Sequence, residues 1–323
     1  MDARIIFVFL LSGLAVFAQA PRGKAFVPPK TAHGDPDLQG IWTNVTITPL
    51  ERSQQFASKP FLTAQEARQF ERDTVETNNA DRRDLPIDQD VGKAYNDFWW
   101  DRGTRVVPTL RTSLVTDPPD GRVPALTADG QKRQQERLAL RRQQGPADGP
   151  ESRALSERCI QWPTAGPPML PSFYNNNYQI VQGPGYVAIL VEMVHDVRII
   201  PLDDRPHLPS QTRQWLGDPR GHWEGNTLVV ESTNFTDKTA FRGATPEMRL
   251  TEKFTRIAAD QVLYQFTVDD PKTFTKPWTA EVPMLRTDGP IYEYACHEGN
   301  YAMEDMLRGA RMEERKSAKP ATK

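Results

Sequence analysis

The sequence predicts a mainly β protein, an antiparallel meander forming a curved sheet or barrel behind an irregular N-terminal part with two helices. Three observations carry this. From Tyr178 onward apolar residues recur with period two. The strand-like runs follow one another through short, turn-rich connections, as antiparallel neighbours do. Both helix signals fall before Gly145-Pro146.

Leu38–Thr43 is a short strand-like piece in a Pro-rich stretch. Thr63-Ala64-Gln65-Glu66 is a capping box, which predicts a helix to about Val75. Residues 77–94 read as irregular, and Tyr95–Gly103 packs large aromatics beside acids and an arginine. Thr112–Thr116 is strand-like and ends at the turn Asp117-Pro118-Pro119-Asp120-Gly121. A helix capped by Thr127 runs to about Gln143, and its Lys132, Arg133, Arg137, Arg141 and Arg142 form a solvated face. Residues 145–150 then break the chain.

Tyr186–Met193 is nearly continuously apolar, and Val197–Leu202 follows as a second strand. Gly221–Glu224 and Thr227–Thr233 form a hairpin across Gly225-Asn226. Met248–Ile257 and Val262–Asp269 form another, and Trp278–Leu285 and Ile291–His297 supply further strands. The resulting division is a signal peptide over residues 1–20, a partly helical region over 21–155, a β domain over 156–311 and a disordered tail over 312–323.

Arg4, the apolar run Ile5–Phe17 and Ala18-Gln19-Ala20 have the layout of a secretory signal, so the chain is expected in the periplasm or outside the cell. The apolar run is too brief to span a bilayer. The net charge of −2 argues against nucleic acid as a partner. Cys159 and Cys296, the two cysteines, are expected to bond in an oxidising compartment, two buried thiols being the alternative.

Candidate chemistry lies where ionisable side chains share a face with apolar ones. Glu252 and Arg256 project with Leu250 and Phe254, Glu192 with Ala188 and Leu190, and Glu293 with Ile291 and Ala295. A barrel would bring them toward one central cavity, unless Glu252 and Arg256 form only a structural ion pair. Within Glu192–Arg198, His195 beside Asp196 and Glu192 has the electrostatics of a general base, with Glu252 as acid and Arg256 as anion stabiliser. The same residues also suit a polar turn. Trp215, Arg220, His222 and Trp223, with Glu293 and His297, are the candidate ligand contacts. No H-x-H or H-E-x-x-H pattern, nucleophile elbow, P-loop or dinucleotide fingerprint occurs, so no metal or cofactor is expected.

The run Trp223-Glu224-Gly225-Asn226-Thr227-Leu228-Val229-Val230-Glu231 through Lys238 resembles a signature of a family of secreted bacterial proteins of unassigned function. Pro168–Pro171, Asn175–Ile180 and Ala295–Tyr301 resemble the same family, which brings no catalytic residues with it. Gly40-Ile41-Trp42 and Gly221-His222-Trp223 are similar to the G-x-W motif of lipocalin-like barrels, which implies a barrel with an internal ligand. Two functions follow as expectations. One is a secreted enzyme using general acid–base chemistry on a small apolar or glycosidic molecule, as a lyase, isomerase or hydrolase. The other is a non-catalytic, lipocalin-like binder of a small apolar ligand.

Overall fold

The computed structural model describes residues 26–81, 96–238 and 241–318; the expected signal segment lies outside them. Its ten strands are β1 (Gly40–Thr43), β2 (Val115–Asp117), β3 (Asn177–Gly183), β4 (Tyr186–Val191), β5 (Val197–Pro201), β6 (Asp218–Glu224), β7 (Thr227–Thr233), β8 (Arg249–Ala258), β9 (Gln261–Asp269) and β10 (Trp278–Arg286). They form one antiparallel sheet in the order β5-β4-β3-β1-β10-β9-β8-β7-β6, with β2 added beside β10. Two meanders are thus joined by β1, which pairs with β3 on one side and β10 on the other.

The outer strands β5 and β6 come together and nearly close the sheet into a barrel. Gly221 permits this approach. A Cβ there would stand 2.8 Å from both Ile200 Cγ2 and Leu202 Cδ2. Tight turns set the register elsewhere: β6 and β7 meet across Gly225-Asn226, with Gly225 at a φ of +60°.

Period-two alternation sends Leu250, Glu252, Phe254 and Arg256 of β8 inward. Val262, Tyr264, Phe266 and Val268 of β9 join them, as do Trp278, Ala280, Val282 and Met284 of β10. The Phe254–Tyr264 and Tyr264–Phe266 centroids lie 4.9 and 5.7 Å apart, and Phe266 meets Trp278 edge-on at 5.6 Å. The positions expected to line a central cavity are therefore packed on one another.

Helix α1 (Ala64–Asn78) opens with the capping box: Thr63 Oγ1 accepts from Glu66 N–H, and Glu66 Oε2 accepts from Thr63 N–H at 2.8 Å. The box is reinforced by Lys59, whose bond to Glu66, with the Thr63 contacts, lowers that carboxyl to about 2. Helix α2 (Ala128–Gln143) is capped by Thr127 and touches the β domain at Gly130, where a Cβ would meet Thr273 O at 2.7 Å. Helix α3 covers Tyr301–Ala318.

Two expectations change. Ile291–His297 is not a strand. Both edges of β10 are already taken by β1 and β9, and Gly289-Pro290 leads the chain away from the sheet. The charged C-terminal stretch is helical as far as Ala318, with Glu304 and Arg308 paired four residues apart and Met303, Leu307 and Ala310 on one half-buried face. Cys159 and Cys296 are bonded, their Cα atoms 5.7 Å apart.

Gly221→Val should force two methyl groups into the β5–β6 seam. We expect a loss of about 1–3 kcal/mol, read as a lower urea midpoint at unchanged slope.

Candidate functional site

The expected acid, Glu252, is fully buried at the centre of the barrel. Arg198 of β5 reaches across the interior and grips both its carboxylate oxygens, Nη1 donating to Oε1 at 3.0 Å and Nη2 to Oε2. Tyr264 donates its hydroxyl to Glu252 Oε1 at 2.8 Å and accepts Met169 N–H at 3.0 Å. Burial alone would lower the Arg198 pKa, but the charge and hydrogen bonds of Glu252 hold it above the ordinary value. Burial, then Glu252, pushes the Tyr264 hydroxyl well up. A carboxylate so engaged and fully buried is a structural ion pair, closed off from any substrate.

Arg256 faces the same interior from nearer one end. Its guanidinium donates to Asp37 O at 3.0 Å and Ala259 O at 2.7 Å, and lies 5.6 Å from the Trp42 ring centroid. It holds the chain entering β1 against the β8–β9 turn. As an anion stabiliser it has no open face.

Glu192 is buried at the end of β4. Its carboxylate accepts from Asn177 N–H at 3.2 Å and Tyr292 N–H at 3.0 Å. The side chain thereby straps the 287–300 segment to the start of β3. His195 continues the strap: its Nδ1 lies 2.9 Å from Tyr294 O. A carbonyl can only accept, so Nδ1 is the donor and Nε2 takes no part in the strap. His195 is exposed and has a φ of +48°. Asp196, half-buried, has a carboxyl raised by burial, the charge of His195 opposing, and its Oδ2 is buried without a hydrogen-bond partner.

Glu293 and His297 are exposed and belong to no strand, so neither points into the barrel. Tyr294 lines an open hollow of about 410 Å³ with Ser156, Glu157, Cys296, Asn300 and Met303. The disulfide forms part of its wall.

The remaining candidates lie on and before β6. Trp223 packs half-buried against the core, and Trp215 has Lys238 Nζ 6.0 Å from its ring. His222 pairs with Glu224 at 3.3 Å on the outer face. Arg220 is spent on Asp218, at 2.6 Å, and on the carbonyls of Arg205, Pro206 and Pro219. Asp218 also accepts from His207 Nδ1 at 3.0 Å and Leu208 N–H at 2.8 Å. Burial would raise this carboxyl, yet these bonds hold it below its ordinary value. His207 carried no signal in the sequence, since Arg205-Pro206-His207-Leu208-Pro209 has no periodicity.

One cluster brings together residues that the sequence separates. Trp100, Trp162, Phe173 and Tyr174 pack with centroids 5.3–6.2 Å apart, and Arg102 Cζ lies 3.9 Å over the Trp100 ring. Asp101 N–H donates to Phe173 O at 2.7 Å, and Asn176 Nδ2 donates to Asp101 O at 2.7 Å, which fixes the two loops together. Phe173 is 42% exposed, while Trp162 and Tyr174 rest against the core. The cluster stands at the entry to β3, beside the strap made by Glu192. Among the described residues no group of three or more His, Cys, Asp and Glu could hold a metal ion.

Removing Glu252 should leave a buried guanidinium without its partner. Glu252→Leu is expected to cost about 3–5 kcal/mol, measured by urea unfolding, and Arg198→Met in the same chain should recover most of it. Comparison with protein-family models, curated proteins and solved structures gave no match, so the side-chain geometry alone bears on function.

Proposed function

We propose that the protein is an exported binder of a small molecule with a flat apolar or glycosidic face, held at the barrel mouth and not inside it. One observation carries the reading: four aromatic rings, one of them 42% exposed, packed edge-on and tilted at the entry to β3 beneath a stacked arginine. Rings already fixed by neighbours lose little freedom when a ligand settles on them. The filled interior argues against the internal site that a lipocalin-like barrel would imply. Export is supported by the signal-like residues 1–20 and by the bonded cysteines.

Titration with 1-N-phenylnaphthylamine, a neutral flat probe, should give saturable fluorescence enhancement. Phe173→Ala should weaken it roughly three- to tenfold without lowering the melting temperature. Absence of saturation, or an unchanged dissociation constant in that variant, would refute the reading.

A second reading, acid–base catalysis, is favoured by His195, an exposed imidazole whose Nδ1 is held on Tyr294 O and which stands beside a carboxyl of raised pKa. A panel of p-nitrophenyl glycosides and esters checks it. Any turnover should disappear in His195→Gln, and turnover that survives would assign the histidine to the loop strap alone.

A further inference from the structure

Arg102 brings a charge to the aromatic cluster, and its guanidinium is fixed on two sides. Its Cζ lies 3.9 Å over the centroid of the Trp100 ring, which supports it from below. Its Nη1 donates to Asn78 O at 3.1 Å. Asn78 is the last residue of α1, where the helix leaves its carbonyls without intrahelical donors.

The other edge of the fork is open. Among the described residues Nε and Nη2 make no hydrogen bond, and no ion pair joins Arg102 to a carboxylate. Neither nitrogen is buried, although the residue as a whole is half-buried. The neighbouring carboxylates are directed elsewhere. Asp101 Oδ2 accepts from Asn176 Nδ2 at 3.1 Å, and Asp97 Oδ1 accepts from Ala80 N–H at 3.4 Å.

Nε and Nη2 form the edge of a guanidinium that matches both oxygens of a carboxylate. Arg205 of this chain uses the same edge on the two oxygens of Asp203. The indole that supports Arg102 also meets the exposed ring of Phe173 edge-on at 5.6 Å. One indole thus holds both an oriented pair of donors and an exposed ring. We propose that the ligand of the aromatic site is an acid, a molecule with a flat aromatic or glycosidic face and a carboxylate. Both carboxylate oxygens bind the Nε–Nη2 edge of Arg102, and the flat face rests on Phe173. Little side-chain freedom is lost on binding, because Trp100 and Asn78 O already hold the guanidinium. This inference rests on the reading of the aromatic cluster as a binding site and names the class of ligand that it selects.

Isothermal titration with two matched pairs tests it: 2-naphthoate against 2-naphthylmethanol, and phenyl β-glucuronide against phenyl β-glucoside. In each pair a carboxylate replaces a hydroxymethyl group. In at least one pair the acid should bind roughly tenfold or more tightly than its alcohol, and that pair identifies an aryl or a sugar body. Phe173→Ala should weaken both of its members alike. Arg102→Gln should bring the acid to the affinity of the alcohol. If that variant does not fold, the difference should narrow in Arg102→Lys, which keeps the charge and loses the paired edge. Equal affinity of acid and alcohol in both pairs would overturn the inference and leave the aromatic reading standing. An acid preference undiminished in the Arg102 variant would overturn it too. No saturable binding by any of these compounds would overturn both.

Discussion

The barrel is organised around a single buried ion pair. Arg198 and Glu252 lie on strands β5 and β8, which are far apart in the sheet, and they meet only because the sheet curls until its outer strands approach. Two ions removed from water demand each other and every remaining hydrogen bond. Glu252 obtains its third from Tyr264, whose hydroxyl in turn receives Met169 N–H, so the pair also fixes a loop that covers the interior. Curvature, strand closure and loop docking are thus tied to one carboxylate. A purely apolar interior would hold the barrel as firmly but would specify its register less, since alternate apolar pairings are closer in energy than a lost ion pair.

That arrangement decides where function can reside. A barrel of this size is either filled by its own side chains or open to a ligand, and here aromatic residues and the ion pair fill it. Ligand chemistry is displaced to the connections. There the chain uses charge to hold loops in place: Glu192 and His195 strap the 287–300 segment, and Asp218 gathers His207, Leu208 N–H and Arg220 to hold the β5–β6 connection. The disulfide closes the same segment from the other side, across a sequence separation of 137 residues. Loops held this firmly can present rings or guanidiniums at low entropic cost.

Much of this fold was legible in the sequence because it rests on local signals. A continuous apolar run and period two marked the strands from Tyr186 to Leu285, Gly225-Asn226 marked a hairpin, and Thr63 and Thr127 marked two helix starts. What escaped was non-local. Leu38–Thr43 read as a short strand, but nothing in those residues announced that it would join two meanders. The inward direction of Glu252 and Arg256 was legible from their spacing with Leu250 and Phe254. Their roles were not, because the partners Arg198, Asp37 and Ala259 lie on other elements. Ile291–His297 has strand-like composition, yet a strand needs a free neighbouring edge, and that is a property of the whole sheet.

The same distinction explains why the aromatic site proposed for a ligand left no motif. A catalytic motif is local when one turn supplies several of its groups, as a P-loop does. The aromatic cluster draws on residues 100, 162, 173 and 174. Each of those residues, taken alone, reads as packing. The structure changes their meaning by what it gathers around them: an exposed ring among half-buried ones. That departure occurs in the long region before β3. The barrel therefore supplies rigidity, and the layer wrapped on it supplies the surfaces available for recognition.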